Sequence, residues 1–225
     1  MTLDDFLLAF FSLEILEQAW PILLSGLVQT VLLSLTVVPL GLAGGVILAL
    51  LSTARSRWVR WPLMAWVDVF RSLPPLVVIA LLYFGLPAAG LALSGFAAAW
   101  LALSLVLMAF SEEIFWAGIT AVPKGQWEAA RSTGLGFGAT LRLVVLPQAL
   151  RITVPPLTNR TIAITKNTAL ASVVAVPEIL GAANAGVSFA FNPTPLTLGA
   201  LAYLVLFLPV VVLGRWIETR FAWKR

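Results

Sequence analysis

Long apolar runs alternate with short polar stretches along the chain. Five of the runs are long enough to cross the hydrocarbon core of a bilayer, about 30 Å, which takes roughly 20 helical residues. They cover Trp20–Leu51, Pro62–Leu86, Gly95–Thr120, Leu141–Val176 and Leu196–Ile217. The pattern predicts an all-α integral membrane protein with five transmembrane helices. Pro74–Pro75, Pro155–Pro156 and Pro209 are expected to interrupt the second, fourth and fifth spans, which a membrane tolerates only where protein or water satisfies the freed backbone groups.

The N-terminal stretch "MTLDDFLLAFFSLEILEQ" has no basic residue. A secretory signal peptide carries a positive n-region, so this stretch does not fit one. Apolar residues recur at helical spacing over Leu3–Phe10, which predicts a short amphipathic helix on the membrane surface. A flexible terminus is the alternative. We therefore expect an interfacial segment at residues 1–19 and a transmembrane domain at residues 20–225.

Composition supports the membrane assignment. Of the 225 residues, 60% are hydrophobic and 11% are charged, whereas soluble domains carry about 25% charged residues. The chain has no Cys and no His, which excludes disulfides, thiol nucleophiles and His-based metal or acid–base sites. We expect no catalytic residue and no metal site.

The basic residues predict the orientation. Eleven of the fourteen Lys and Arg residues fall in or beside the loops on one side of the predicted spans. The N-terminal stretch and the loops Pro87–Ser94 and Gly181–Pro195 on the other side contain none. The positive-inside rule therefore places the N-terminus outside and the C-terminus inside, on the cytoplasmic face of the membrane. The net charge of +4 follows from this topology without a nucleic-acid partner. The eleven residues are Arg55, Arg57, Arg60, Lys124, Arg131, Arg142, Arg151, Arg215, Arg220, Lys224 and Arg225.

A polar island, "KGQWEAARSTGLG", lies between the third and fourth spans at Lys124–Gly136. Pro123 suits the first turn of a helix, and Gly134 suits the left-handed turn that ends one, which predicts a helix over Gln126–Thr133. Two adjacent alanines would form a small, flat face flanked by charges, as in a helix that docks into a partner. From the residues alone, a solvated connecting loop remains the alternative. The candidate docking residues are Glu128, Ala129, Ala130, Arg131 and Gly134.

The spacing E-A-A-x3-G-x9-V-x-L-P, from Glu128 to Pro147, resembles the cytoplasmic signature of permease subunits of bacterial ABC importers. Val144 stands where that pattern usually has Ile. The segments "VFRSLPPLVVIALLYFGLP", "EEIFWAGITAVPKGQWEAA", "VVLPQALRITVPPLTN" and "ITKNTALASVVAVPEIL" are similar to the polar amino acid branch. Ser72 and Leu73 replace its usual Gly-Thr pair, and "KNTAL" replaces Lys-Asp-Thr-Ser-Leu.

The resemblance implies a type I ABC importer permease fold with a cytoplasmic coupling helix within about 121–140. It implies a bacterial inner-membrane protein that translocates a polar amino acid by alternating access. The implied partners are a second permease subunit, of the same or a related chain, a pair of ATPase subunits and a periplasmic substrate-binding protein. The chain has no Walker A motif. We therefore expect no enzyme activity in this subunit and expect ATP and Mg²⁺ on the ATPase.

Several polar residues lie in the predicted spans, where an ionisable side chain costs about 2.5–3.5 kcal/mol on insertion scales. The candidates for a substrate path are Asp68, Arg71, Glu112, Glu113, Asn159, Arg160, Lys166, Asn167 and Thr168. The alternative is mutual pairing, as for Asp68 and Arg71, which share a helical face. Glu112 and Glu113 are candidates to neutralise Arg160 and Lys166 across helices. Pro155–Pro156 predicts a broken helix beside the path residues, as transporters often have at their sites.

The glycines of the first span are expected to allow close helix packing. They are Gly26, Gly41, Gly44 and Gly45.

The residues leave open which solute is carried and whether the protein is a transporter at all. The solute is either a polar amino acid or a related compound such as an opine or an ectoine-like molecule. A passive channel or a membrane scaffold is the alternative from another class, and neither would need the docking helix.

Overall fold

The computed structural model describes residues 2–54 and 56–221 of the chain. Arg55, Lys224 and Arg225, which contribute to the charge pattern above, lie outside the described residues. The described part contains helices and no strands. The α-helices are α1 (Leu3–Phe10), α2 (Leu13–Ser52), α3 (Arg57–Ser72), α4 (Pro75–Ala80), α5 (Gly95–Ala121), α6 (Lys124–Ser132), α7 (Phe137–Thr140), α8 (Leu146–Lys166), α9 (Ile179–Ala190) and α10 (Thr194–Phe221).

Four helical stretches in the described residues are long and apolar enough to span a membrane. They are Leu3–Ser52, Gly95–Ala121, Phe137–Val174 and Thr194–Phe221. A fifth span is possible if α3 and the following helical stretch Pro75–Ala89 count as one, because the two are bent by 104°. Leu73 and Pro74 have extended backbones at this bend. The five-span prediction thus corresponds to four long helical stretches and one broken pair.

Two of the predicted proline breaks are wrong. α8 continues through Pro155 and Pro156, and α10 continues through Pro209. A proline removes one backbone donor, and a transmembrane helix absorbs that loss where its neighbours support it. The irregular stretches lie on either side of α8 instead, as a π-helical turn at Leu141–Val145 and a 3₁₀ helix at Asn167–Val174.

The predicted N-terminal helix is present as α1. Thr2 and Asp5 cap its start reciprocally, with the Asp5 amide donating to Thr2 Oγ1 (3.2 Å) and the Thr2 amide donating to Asp5 Oδ2 (2.8 Å). Thr194 Oγ1 donates to the carbonyl of Ala9 near the end of α1 (3.1 Å). Residue 19, the expected boundary of the interfacial segment, falls within α2. The location of α1 on the membrane surface stays a prediction.

The described chain divides into two compact units. The first unit contains the described residues up to Val38, together with Pro74–Ser104 and Ile164–Val211. Its core includes residues of α2 and α9, namely Ala19, Leu23, Ile179, Ala182 and Ala183. The second unit contains the described residues of Pro39–Leu73, together with Leu105–Ala163 and the described chain from Val212 onward. One of its clusters joins Ala49, Phe115 and Leu157.

The glycines of α2 have the packing role that the sequence predicts. A Cβ added at Gly26 would lie 2.8 Å from the Cβ of Ala182, closer than side chains pack. In the second unit, added Cβ atoms at the other three positions would overlap with α5. The opposing pairs are Gly41 with Leu107, Gly44 with Met108 and Gly45 with Ser111.

Candidate functional site

The polar island folds as α6, which confirms the predicted helix and starts it two residues earlier. Pro123 is the N-cap, and the Gln126 amide donates to its carbonyl (2.9 Å). Gly134 has a φ of +87°, and its amide donates to the carbonyl of Arg131 (3.0 Å). Only glycine adopts this left-handed conformation without a steric cost. The predicted stop of the helix at Gly134 is therefore confirmed.

The small residues of α6 have different environments. Glu128, Ala129 and Arg131 are exposed, whereas Ala130 is buried, with 8% of its surface accessible. The expectation that Ala130 faces a partner is therefore wrong, because consecutive positions on a helix point in directions about 100° apart. The inner face of α6 contacts α7 and the π-helical turn Leu141–Val145.

Trp127 packs α6 against neighbouring elements of the second unit. Its ring stacks on Phe137, with the ring centroids 5.6 Å apart. It also packs against a buried cluster formed by Ile119, Val122, Leu141, Val145 and Ala149. These residues lie at the end of α5, in the turn that follows α5, in the π-helical turn Leu141–Val145 and at the start of α8. Trp127 was not among the candidate docking residues, although it is the single aromatic residue within the polar island.

A charged cluster joins α3 and α5 in the second unit. Arg71 Nη2 lies 2.6 Å from Glu113 Oε2, and Arg71 Nη1 lies 3.8 Å from Asp68 Oδ1. The pairing of Asp68 with Arg71 is thus present, but Glu113 is the closer partner. Within the described residues, no ion pair joins a carboxylate to Arg160 or Lys166. The expected neutralisation by Glu112 and Glu113 therefore does not occur through ion pairs. Arg71 pairs with Glu113 instead, and Glu112 accepts from Ser52.

Arg160 interacts with an aromatic ring instead of an acid. Its Cζ atom lies 3.1 Å from the ring centroid of Phe110, and the Cζ atom of Arg71 lies 5.7 Å from the same centroid. The negative face of an aromatic ring attracts a guanidinium. The Nε atoms of Arg71 and Arg160 are buried and lack a hydrogen-bond partner among the described residues. No local sequence signal identified Phe110, because it is one apolar residue among many on α5.

Glu112 makes a second polar contact beside this ion pair. Ser52 Oγ donates to Glu112 Oε1 at 2.6 Å, and Glu112 is 6% exposed. A cavity of about 200 Å³ lies beside these groups. Its lining carries both signs of charge and consists of Ser52, Arg60, Met64, Val67, Asp68, Arg71, Glu112, Glu113 and Trp116. Ser52, Arg60 and Trp116 were not among the sequence candidates.

The remaining path candidates have other surroundings. Asn159 is exposed on α8 in the second unit. Lys166, Asn167 and Thr168 belong to the first unit. Thr168 is buried and donates to the carbonyl of Thr165 (2.7 Å). Lys166 is exposed and lines a largely apolar groove of about 550 Å³. The path candidates therefore divide between the two units, and their contact with a substrate stays a prediction.

Comparison with known proteins adds independent information. Residues 41–223 match the family model described as "Binding-protein-dependent transport system inner membrane component". The probable amino-acid ABC transporter permease protein YckA of Bacillus subtilis is 35% identical over 76% of this chain and 75% of its own length. The probable glutamine ABC transporter permease protein GlnM of the same organism is 33% identical over 93% and 97%. The crystal structure of an amino acid ABC transporter with histidines superposes with a TM-score of 0.84 at 31% identity, covering 91% of this chain and 96% of that one.

Proposed function

The chain belongs to the family of binding-protein-dependent transport system inner membrane components, and from this premise we propose that it carries a polar amino acid into the bacterial cytoplasm. It is a permease subunit with membrane-spanning helices. A separate pair of ATPase subunits drives it, and ATP and Mg²⁺ bind there. A periplasmic protein delivers the solute, and a second permease subunit, of the same or a related chain, completes the path. The basic loops support a cytoplasmic C-terminus and a periplasmic N-terminus in the inner membrane.

The exposed surface of α6 carries this proposal. Glu128, Ala129 and Arg131 are exposed, so that a small side chain lies beside two opposite charges. A partner's backbone can approach the alanine closely while polar groups at the rim meet the charges. We assign α6 as the coupling helix that docks on the ATPase. Ala130 has the separate task of packing α6 against its own chain.

The inner face of α6 connects this helix mechanically to its neighbours. Trp127 lies against residues of both α5 and the segment that leads into α8. Close-packed side chains transmit a displacement because interiors have low compressibility. When ATP binding closes the ATPase pair, movement of α6 therefore shifts both helices together. Such rigid-body shifts of packed helices are a common basis of switching between two conformations, and here they alternate the access to the path.

The charges that line the polar cavity of the second unit favour a zwitterionic solute. Its lining has two guanidinium groups, from Arg60 and Arg71, and three carboxyl groups, from Asp68, Glu112 and Glu113. A solute with an ammonium and a carboxylate group finds a complementary charge for each. The named relatives include permeases assigned to amino acids and to glutamine, which favours a polar amino acid over an opine or an ectoine-like solute.

Co-purification and uptake test the proposal. The tagged chain is extracted from native membranes, and the ATPase subunit is expected with it. Glu128→Ala should lower solute uptake or release the ATPase, whereas Glu17→Ala, at an exposed acid on α2, should do neither. An extract that never contains an ATPase subunit would refute the importer assignment, and full uptake in Glu128→Ala would refute the docking role of α6.

A further inference from the structure

The start of α9 is held by side chains from three parts of the first unit. The Ile179 amide donates to Thr30 Oγ1 on α2 (3.2 Å), and the Leu180 amide donates to Tyr203 Oη on α10 (3.2 Å). The Gly181 amide donates to Glu178 Oε1 (2.8 Å). A helix leaves its first amides without partners in its own backbone. Here, each of the first three has a separate side-chain acceptor.

Glu178 is the centre of this arrangement. Its side chain is fully buried, at 0% exposure, and Tyr203 Oη donates to its Oε2 at 2.5 Å. Both carboxyl oxygens are therefore engaged, one by a backbone amide and one by a phenol. Burial of an ionisable group is costly unless it is hydrogen-bonded. A buried carboxyl group with these partners strongly favours one position for the residues it joins.

Close backbone packing reinforces the same contact. A Cβ added at Gly26 of α2 would lie 3.0 Å from the carbonyl oxygen of Glu178. Thr30, one turn further along α2, donates to the Gly26 carbonyl (3.1 Å) and is itself fully buried. α2 therefore meets the Glu178 backbone directly, without an intervening side chain. Glu178, Thr30 and Tyr203 are called the α9 anchor below.

The α9 anchor lies next to the irregular stretch that precedes it in the chain, and α9 contacts that stretch. The 3₁₀ helix Asn167–Val174 ends at Ala175, which has a left-handed φ of 59°. The Val176 amide then donates to the carbonyl of Ala171 (3.2 Å). Only Pro177 separates this turn from Glu178. A short, hydrogen-bonded connection therefore joins this end of the 3₁₀ helix to Glu178.

We propose that Glu178, with Tyr203 and Thr30, positions the Asn167–Val174 helix for transport. This inference rests on the proposed function, because Asn167 and Thr168 at the other end of that helix are path candidates. A 3₁₀ helix has poorer hydrogen-bond geometry than an α-helix and is readily rearranged. The α9 anchor restricts it to one arrangement. Glu178 acts through this helix as a positioning residue.

A cysteine reporter measures the position of the helix directly, because the chain has no native Cys. Val174→Cys lies at the buried end of the 3₁₀ helix, at 2% exposure, and Ala88→Cys is an exposed control in the same unit. Each is combined with Tyr203→Phe or Glu178→Gln in the assembled transporter and labelled with a membrane-impermeant maleimide. Tyr83→Phe, which alters the other tyrosine of the chain, is the matched control.

We expect Tyr203→Phe and Glu178→Gln each to raise the labelling rate of Val174→Cys roughly tenfold, as expected for the loss of a buried hydrogen bond. Labelling of Ala88→Cys should not change. The maximal uptake rate per assembled complex should fall several-fold, with an unchanged binding-protein concentration for half-maximal uptake. The double variant should be no worse than the stronger single variant, because both changes break the same hydrogen bond between Tyr203 and Glu178. Thr30→Ser, which keeps the hydroxyl, should retain uptake that Thr30→Val loses.

The outcomes separate the two proposals. Unchanged labelling and uptake in Tyr203→Phe and Glu178→Gln would overturn the positioning role and leave the importer function standing. Fewer complexes in the membrane with normal uptake per complex would also overturn it, because the α9 anchor would then serve stability alone. If the unaltered chain, assembled with its ATPase and binding protein, takes up no amino acid, the proposed function itself fails.

Discussion

The guanidinium of Arg71 lies 2.6 Å from the carboxylate of Glu113, and this contact joins α3 to α5. The two side chains are 31% and 45% exposed. Solvent therefore screens part of their attraction. Asp68 is also near Arg71, but at 3.8 Å and with 69% exposure. The two acids allow a comparison of a close and a distant partner of one arginine.

Glu113→Gln is expected to lower the stability of the purified complex by about 1 kcal/mol, the upper end for a partly exposed pair. Asp68→Asn should have a smaller effect, within a few tenths of a kcal/mol, because its partner is more distant and its side chain more exposed. Thermal denaturation of the two variants in the same detergent compares them. Equal losses of stability would show that the 2.6 Å contact with Glu113 contributes no more than the 3.8 Å contact with Asp68.

Phe110 offers a second test of the charged cluster. Phe110→Leu keeps an apolar side chain but removes the ring beneath Arg160, whose Cζ atom lies 3.1 Å from the centroid. We expect a loss of about 1–2 kcal/mol of stability, as for a partly desolvated cation–π contact. Phe110→Trp should recover part of that contact if the larger ring is accommodated. The midpoint of thermal unfolding checks both, and a stable Phe110→Leu variant would exclude an energetic role for the ring.

The packing of α2 on α5 predicts a sharp difference between two glycines. Gly45→Ala places a methyl group against the Cβ of Ser111 and 3.0 Å from the backbone nitrogen of Glu112. We expect a loss of about 1–3 kcal/mol, because backbone atoms cannot move aside as a flexible side chain can. Gly85→Ala is the control, since nothing lies within 4 Å of its added Cβ. The yield of folded complex and its unfolding temperature should separate the two variants.

The end of α6 predicts an effect on coupling. Gly134→Ala forces a side chain into a φ of +87°, at a cost of about 1–2 kcal/mol. The last turn of α6, which carries Arg131, should then loosen. Gly136→Ala is the matched control, because its φ of −65° suits any residue and its surroundings are open. The ratio of solute taken up to ATP hydrolysed should fall in Gly134→Ala alone, and an unchanged ratio would count against a coupling role for this turn.

Local sequence patterns were sufficient to predict much of the architecture. Apolar length predicts the spans, and the helix signals at Pro123 and Gly134 predict α6 within two residues. These features depend on backbone conformation and on neighbours within one or two turns. The packing role of the α2 glycines was also predictable, because small residues on a membrane helix let neighbouring helices approach closely.

Contacts between residues far apart in the sequence decided which side chains are buried and which polar groups meet. Ser52 and Glu112 are 60 positions apart, and Thr30 and Ile179 are 149 apart. The burial of Ala130 and the stacking of Arg160 on Phe110 likewise depend on which helices meet and at what rotation. Sequence periodicity limits the faces of a helix that can be buried, but it contains no information on the partner across the interface. That choice comes from the packing of all helices at once, and it sets where the charges of this chain are held.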